Sequence, residues 1–190
     1  TILPPTRPAQ GQRAALGVAY LEDRDELNLC NLDFQKNSRG LSRKRIMPNK
    51  YTSSQFDNTR FSAHGEYEIQ WVDGIYIVSV VGPMNLECIK AMGQARAAAF
   101  AERQDHAPIV GIAEFHNSML MSPDALAAYS AGLEKDLQCY GQWAALAWVA
   151  LPDVDGRSIM EYLFSKVFAK YHVPWRLFED MDAAKAWVAA

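Results

Sequence analysis

From Gly65 onward the spacing of apolar residues switches repeatedly between a period of two and a period of three to four. Residues 66–71, Glu-Tyr-Glu-Ile-Gln-Trp, alternate polar and apolar as a strand with one wet face does, and Asp73-Gly74 supplies the residues of a tight hairpin turn. Residues 75–81 are rich in β-branched side chains and make the second strand of that hairpin. Gly82-Pro83 ends it, and Asn85 is placed to cap a helix over 86–104 with Glu87 in its first turn. A buried strand over 109–115 follows. Ser122-Pro123-Asp124 is a helix start, with a capping hydroxyl, a proline whose missing N–H costs nothing at the first helical position, and an acid in the first turn. That helix carries Leu126, Tyr129, Leu133, Leu137 and Tyr140 on one face.

Residues 143–151 form a continuous apolar run between Gly141 and Pro152, the profile of a strand covered on both faces. The clearest amphipathic helix comes next, with Ile159, Met160, Leu163, Phe164, Val167, Phe168 and Tyr171 at three-and-four spacing. A short strand over 175–178 and a last helix over 182–188, led by a capping acid, complete the pattern. The order β-β-α-β-α-β-α-β-α predicts an α/β fold: a mainly parallel sheet, its first strand antiparallel and at or near an edge, with helices packed on it.

Composition divides the chain. Residues 1–60 hold ten Lys/Arg against six Asp/Glu, a balance of +4, whereas residues 61–190 hold nine against sixteen, a balance of −7. Residues 35–60 are dense in Asn, Ser, Lys, Arg and Gln, too poor in large apolar side chains to offset the entropy of ordering them. Residues 1–60 are therefore expected to be a poorly ordered polar and basic extension, with at most a short helix or strand in 14–34, and residues 61–190 the α/β domain. The run Arg43-Lys44-Arg45 lacks the aromatic or groove-fitting element of a nucleic-acid site, so no nucleic-acid partner is expected. All seven methionines lie at or after Met47, which makes Met47 a candidate start. The longest uncharged stretch, residues 137–152, is too short to span a bilayer, and no signal peptide is visible, so the expectation is a cytoplasmic protein without an integral membrane segment.

The element order and three passages resemble the STAS family, the sulfate-transporter and anti-sigma-factor-antagonist domain, in its small stand-alone bacterial form. The passages are Gly82-Pro83-Met84-Asn85-Leu86-Glu87, then Leu120-Met121-Ser122-Pro123-Asp124-Ala125-Leu126, then the close from Trp175 to Trp187. Together they cover about residues 65–190. The resemblance implies a non-enzymatic signalling domain that binds a protein partner, such as an anti-sigma kinase-like protein, which phosphorylates a serine at the start of the second helix. Ser122 matches that serine, and Met121 stands where the family pattern has Asp. A phosphate at a helix N-terminus meets free N–H groups and a favourable dipole while adding nearly two negative charges. The partner or ligand rim is expected around Asn85, His116, Asn117, Ser118 and Asp124. The ordinary alternative for Ser122 is a helix cap with no further role.

Catalytic signatures are absent: there is no G-x-S-x-G, phosphate-binding loop, G-x-G-x-x-G or H-E-x-x-H, so no catalytic residue, metal or cofactor is assigned. Of the histidines at 64, 106, 116 and 172, only His116 falls where open α/β sheets bind ligands. Cys88, three residues after the expected cap Asn85, is the candidate reactive thiol, since a helix N-terminus lowers a thiol pKa; its plainer reading is a small apolar residue facing the sheet. Cys30 and Cys139 add nothing to it. The tryptophans at 71, 143, 148, 175 and 187 are either core or the lining of an apolar, lipid-like ligand pocket.

Overall fold

The computed structural model describes residues 50–56, 62–103 and 107–190, all within a compact unit that spans Arg45–Ala190. The element expected within 14–34, Cys30, the Arg43-Lys44-Arg45 run, Met47 and His106 lie outside the described residues. The chain runs β1 (Lys50–Thr52), α1 (Ser53–Phe56), β2 (Glu66–Val72), β3 (Ile75–Val81), α2 (Leu86–Ala101), β4 (Ile109–His116), α3 (Pro123–Tyr140), β5 (Trp143–Val149), α4 (Arg157–Lys170), β6 (Trp175–Phe178) and α5 (Met181–Val188). No described helix is long and apolar enough to cross a membrane.

Six strands form one sheet in sequence order. The β2–β3 hairpin closes as its turn residues require: Asp73 and Gly74 both take positive φ, and Val72 faces Ile75 across a two-residue loop. β3, β4, β5 and β6 are mutually parallel, so the expected mixed α/β architecture is present. One expectation is corrected at the N-terminal edge. Composition places residues 50–56 in the poorly ordered extension, yet Lys50, Tyr51 and Thr52 pair antiparallel with Gln70, Ile69 and Glu68. Two side chains explain this. Tyr51 is buried against the sheet and packs on Phe56, and Lys50 pairs with Glu68 across the strands, which composition averaged over residues 35–60 does not register.

Neighbouring parallel strands joined by right-handed crossovers place every intervening helix on one side of the sheet. α2, α3 and α4 accordingly share one core with Tyr76, Val78, Val80, Phe115 and Trp148 of the strands. The opposite face is covered by α5, whose Ala184 packs with Ile112, Ala147 and Val149.

Candidate functional site

The loops that leave β3, β4 and β5 are joined to one another by backbone hydrogen bonds beyond the strand ends. Met84 N–H donates to Leu120 O, Met119 N–H to Asp155 O and Asp155 N–H to Asn117 O, each at 2.8–2.9 Å. Met84 pairs with Met121 and Ser118 with Asp155 as isolated parallel bridges. Only glycine fits at position 82, because a Cβ there would overlap the Ser118 carbonyl oxygen. The parallel ladder thus extends past the sheet and sets the beginnings of α2 and α3 side by side on a common rim.

The rim residues singled out in the sequence fall into two groups. Asn85 and Ser118 are spent on holding loops. The Asn85 side-chain oxygen accepts from the Cys88 and His64 N–H groups, and its amide donates to Ser62 O. Ser118 is buried, donates to the Asp155 carboxylate and accepts from Leu120 N–H. His116, Ser122 and Asp124 present themselves to solvent. Asn117 sits among them in a left-handed backbone conformation.

Ser122 occupies the N-cap position of α3, but the expected capping hydroxyl bond is not made. The hydroxyl donates instead to Asp124 Oδ1, which also accepts from Ala125 N–H at 3.0 Å. An ionised carboxylate two residues away both satisfies the first-turn amide and takes the hydroxyl proton's hydrogen bond. That hydroxyl holds the Asp124 carboxyl below its ordinary range. Cys88 is completely buried on the sheet-facing side of α2, so a reagent reaches its thiol only through local opening.

A second feature has no counterpart in the sequence pattern. A cavity of about 680 Å³ opens at the carboxyl ends of β4, β5 and β6, between the turns that lead into α4 and α5. Its volume is in the range of small-ligand sites, and its position is where open α/β sheets bind. Glu114, Asp153, Glu179 and Asp180 line it together with His116 and Asn117. His116 Nε2 stands 3.7 Å from Glu114 Oε2, and Arg157 ties the wall together by donating to Ala150 O and to Glu179. Glu114 stands near the end of β4, Asp153 in the loop after β5, and Glu179 and Asp180 directly after β6, but nothing in the apolar pattern says that these three strand ends converge.

Beneath α2 and α3 the aromatic side chains close on one another. The Trp148 ring lies 4.3 Å from Phe164 and 4.5 Å from Phe115 between centroids, and the space left there is about 40 Å³, room for a water or two. Trp143 and Trp148 are core, and Trp71, Trp175 and Trp187 are partly buried against it. Also missed was a buried ion pair, Arg96 of α2 with Asp136 of α3, the guanidinium lying over the Tyr129 ring. Burial pushes the Asp136 carboxyl up to about 6 against the pull of Arg96, and pushes the Tyr129 hydroxyl up to about 12. Among the described residues no group of three or more His, Cys, Asp or Glu side chains is arranged to hold a metal ion. Comparison with family models, with curated proteins and with solved structures finds no significant match.

Proposed function

We propose that this protein is a non-enzymatic, cytoplasmic regulatory module of the STAS type that docks a protein partner on the rim at the heads of α2 and α3, with Ser122 as the residue whose modification sets affinity. The partner class is an anti-sigma kinase-like protein. The observation that carries this reading is the placement of an exposed Ser122 hydroxyl at the start of an 18-residue helix, beside the head of a second helix and held there by the Met84–Leu120 and Met84–Met121 pairing. Rigid backbone stitching presents a fixed surface, which is what recognition of a partner needs.

Modification of Ser122 would act through Asp124. A phosphate on the hydroxyl ends its hydrogen bond to that carboxylate and sets two anions side by side, so the first turn of α3 must rearrange or the carboxylate swing away. The rim then differs in both charge and shape between the two states. Met121 in place of the family's acid leaves Asp124 as the carboxylate next to the serine.

The test is interaction capture with the full chain as Ser122, Ser122→Asp and Ser122→Ala, followed by titration of each purified partner. A partner whose affinity changes at least tenfold between the Ala and Asp variants is expected. Identical partners with identical affinities for all three proteins would refute the reading.

A further inference from the structure

We propose that the buried Arg96–Asp136 pair fixes the setting of α3 against α2, and that Arg96, Tyr129, Gly132 and Asp136 are thereby positioning residues for the rim at the two helix heads. The inference goes beyond the docking reading, because it concerns how the rim is held and stands whether or not Ser122 is modified.

Arg96 and Asp136 are the buried charged side chains among the described residues, each less than a tenth exposed, and they reach one another from different helices. Three positions of α3 receive the guanidinium. The centroid of the Tyr129 ring lies 5.7 Å from Arg96 Cζ. Gly132 leaves a notch, since a Cβ there would stand 2.9 Å from a terminal nitrogen of Arg96. Asp136 supplies the anion. Positions 129, 132 and 136 follow the three-and-four spacing of one helix face, so ring, notch and carboxylate form a single stripe along α3. Glycine inside a helix ordinarily only weakens it, and here its missing methyl group is the space that the guanidinium fills.

This stripe admits one register. A slip of α3 by one turn brings Ala128 or Asp136 to the notch, and Gly132 or Tyr140 to the place of the acid. Either way a side chain enters the notch and no carboxylate stands opposite Arg96 Nε, so a buried cation loses its partner. The rest of α2 offers no comparable key. Its buried positions include Ala91, Ala95 and Ala99, and apolar burial has no preferred direction. The desolvation of a buried pair offsets its attraction, which leaves discrimination between arrangements, and not net stability, as what this pair supplies. Its place along the helices completes the argument. The heads are joined by the Met84–Leu120 bond and the Met84–Met121 bridge, whereas Arg96 lies ten residues past the start of α2, about 15 Å along its axis. One attachment leaves two rods free to pivot; two at that separation do not.

The experiment measures residual dipolar couplings of the backbone amides in the full chain, with urea unfolding alongside, for the unmodified protein, the apolar double variant Arg96→Met with Asp136→Leu, and Gly132→Ala. In the unmodified protein the amides of α2 and α3 are expected to fit one alignment tensor. The double variant should remain folded with an undiminished urea midpoint, while its α3 couplings fall by at least a fifth relative to those of α2 and the amides of Met84, Leu120 and Ser122 shift or broaden. Gly132→Ala is the second readout. Helix propensity alone predicts a more stable protein with both helices unmoved, whereas a filled notch should shift the Arg96 Nε–H resonance and the rim amides. Couplings in the double variant that match the unmodified protein would show that apolar packing sets the helices, and failure of that variant to fold would assign the pair to stability; either overturns the inference, as would unmoved Arg96 and rim signals in Gly132→Ala. None of these measurements uses a partner, so failure of the docking reading leaves them unaltered.

Discussion

The two faces of the sheet are built to different standards. One carries α2, α3 and α4, with the short α1 at its edge, and an aromatic cluster in which Trp148 contacts rings of Phe115, Phe164, Phe168 and Trp175. The other carries one eight-residue helix over a cluster of four buried residues, Ile112, Ala147, Val149 and Ala184. The difference follows from topology. Strands in sequence order with one hand of crossover leave only the chain's end to cover the far side. Stability is therefore concentrated on the helix face, and the α5 face is where local opening starts.

Removing one tryptophan from each face tests this most severely. Trp148→Ala deletes a fully buried ring and should cost about 4 kcal/mol, in the range for large aromatic truncations. Trp187→Ala, on the α5 face, removes a half-buried ring that meets Phe178 at 5.7 Å and should cost about 1.5 kcal/mol. Urea unfolding of both variants checks the ratio. Equal losses would mean that the two faces share the load and that the topological argument is wrong.

The helix face also contains the charged pair Arg96 and Asp136, and its response to pH sharpens the comparison. Burial raises the Asp136 carboxyl from 3.8 to about 6 in the folded protein. Between those values the folded chain holds a proton that the unfolded chain has released, so this group's contribution is fully present below pH 4 and is lost as pH rises through 6. At about 1.4 kcal/mol per unit the whole effect is on the order of 3 kcal/mol. Asp136 faces Arg96 from α2, Tyr76 from β3, and Lys135, Tyr129 and Tyr140 from its own helix. Other carboxylates titrate in the same window, so the measurement is a difference of differences. The wild-type protein minus Asp136→Asn, each unfolded in urea at pH 4.5 and pH 7, should show the wild type losing more on going to pH 7. No difference between the two slopes would contradict it.

How much of this was readable beforehand depends on whether a feature is local in sequence. Asp73-Gly74 forms the expected turn because both residues tolerate positive φ and their neighbours alternate. The strand over 109–115 and the helix from Pro123 are placed to within a residue, since period and cap lie in one window. Features that depend on partners distant in the chain were not readable. β1 exists because Tyr51 finds a place beside Ile69, the ion pair because residues 96 and 136 meet across two helices, and the cavity because residues near 114, 153 and 180 converge. Ser122 lies between these cases. Its position at the helix start was legible, but its bond to Asp124 instead of the backbone was not, because Ser and Asp compete for the same first-turn donors.

The last helix supplies the finest test of the unequal faces. The sequence pattern starts it at Asp182 with a capping acid; the acid that caps it is Asp180, whose Oδ1 accepts from Ala183 N–H at 2.7 Å, while Asp182 lies within the first turn. An eight-residue helix has no independent stability and depends on its cap and on its packing. Asp180→Ala removes an N-cap and should cost about 1 kcal/mol. On the helix face a loss of that size would be spread through a cooperative core. On the α5 face it should appear locally, as faster hydrogen exchange of the amides in 183–188 with the exchange of α3 and α4 unchanged. Uniform acceleration across all helices would show that α5 opens only with the whole domain, and that the thin face is as tightly coupled as the thick one.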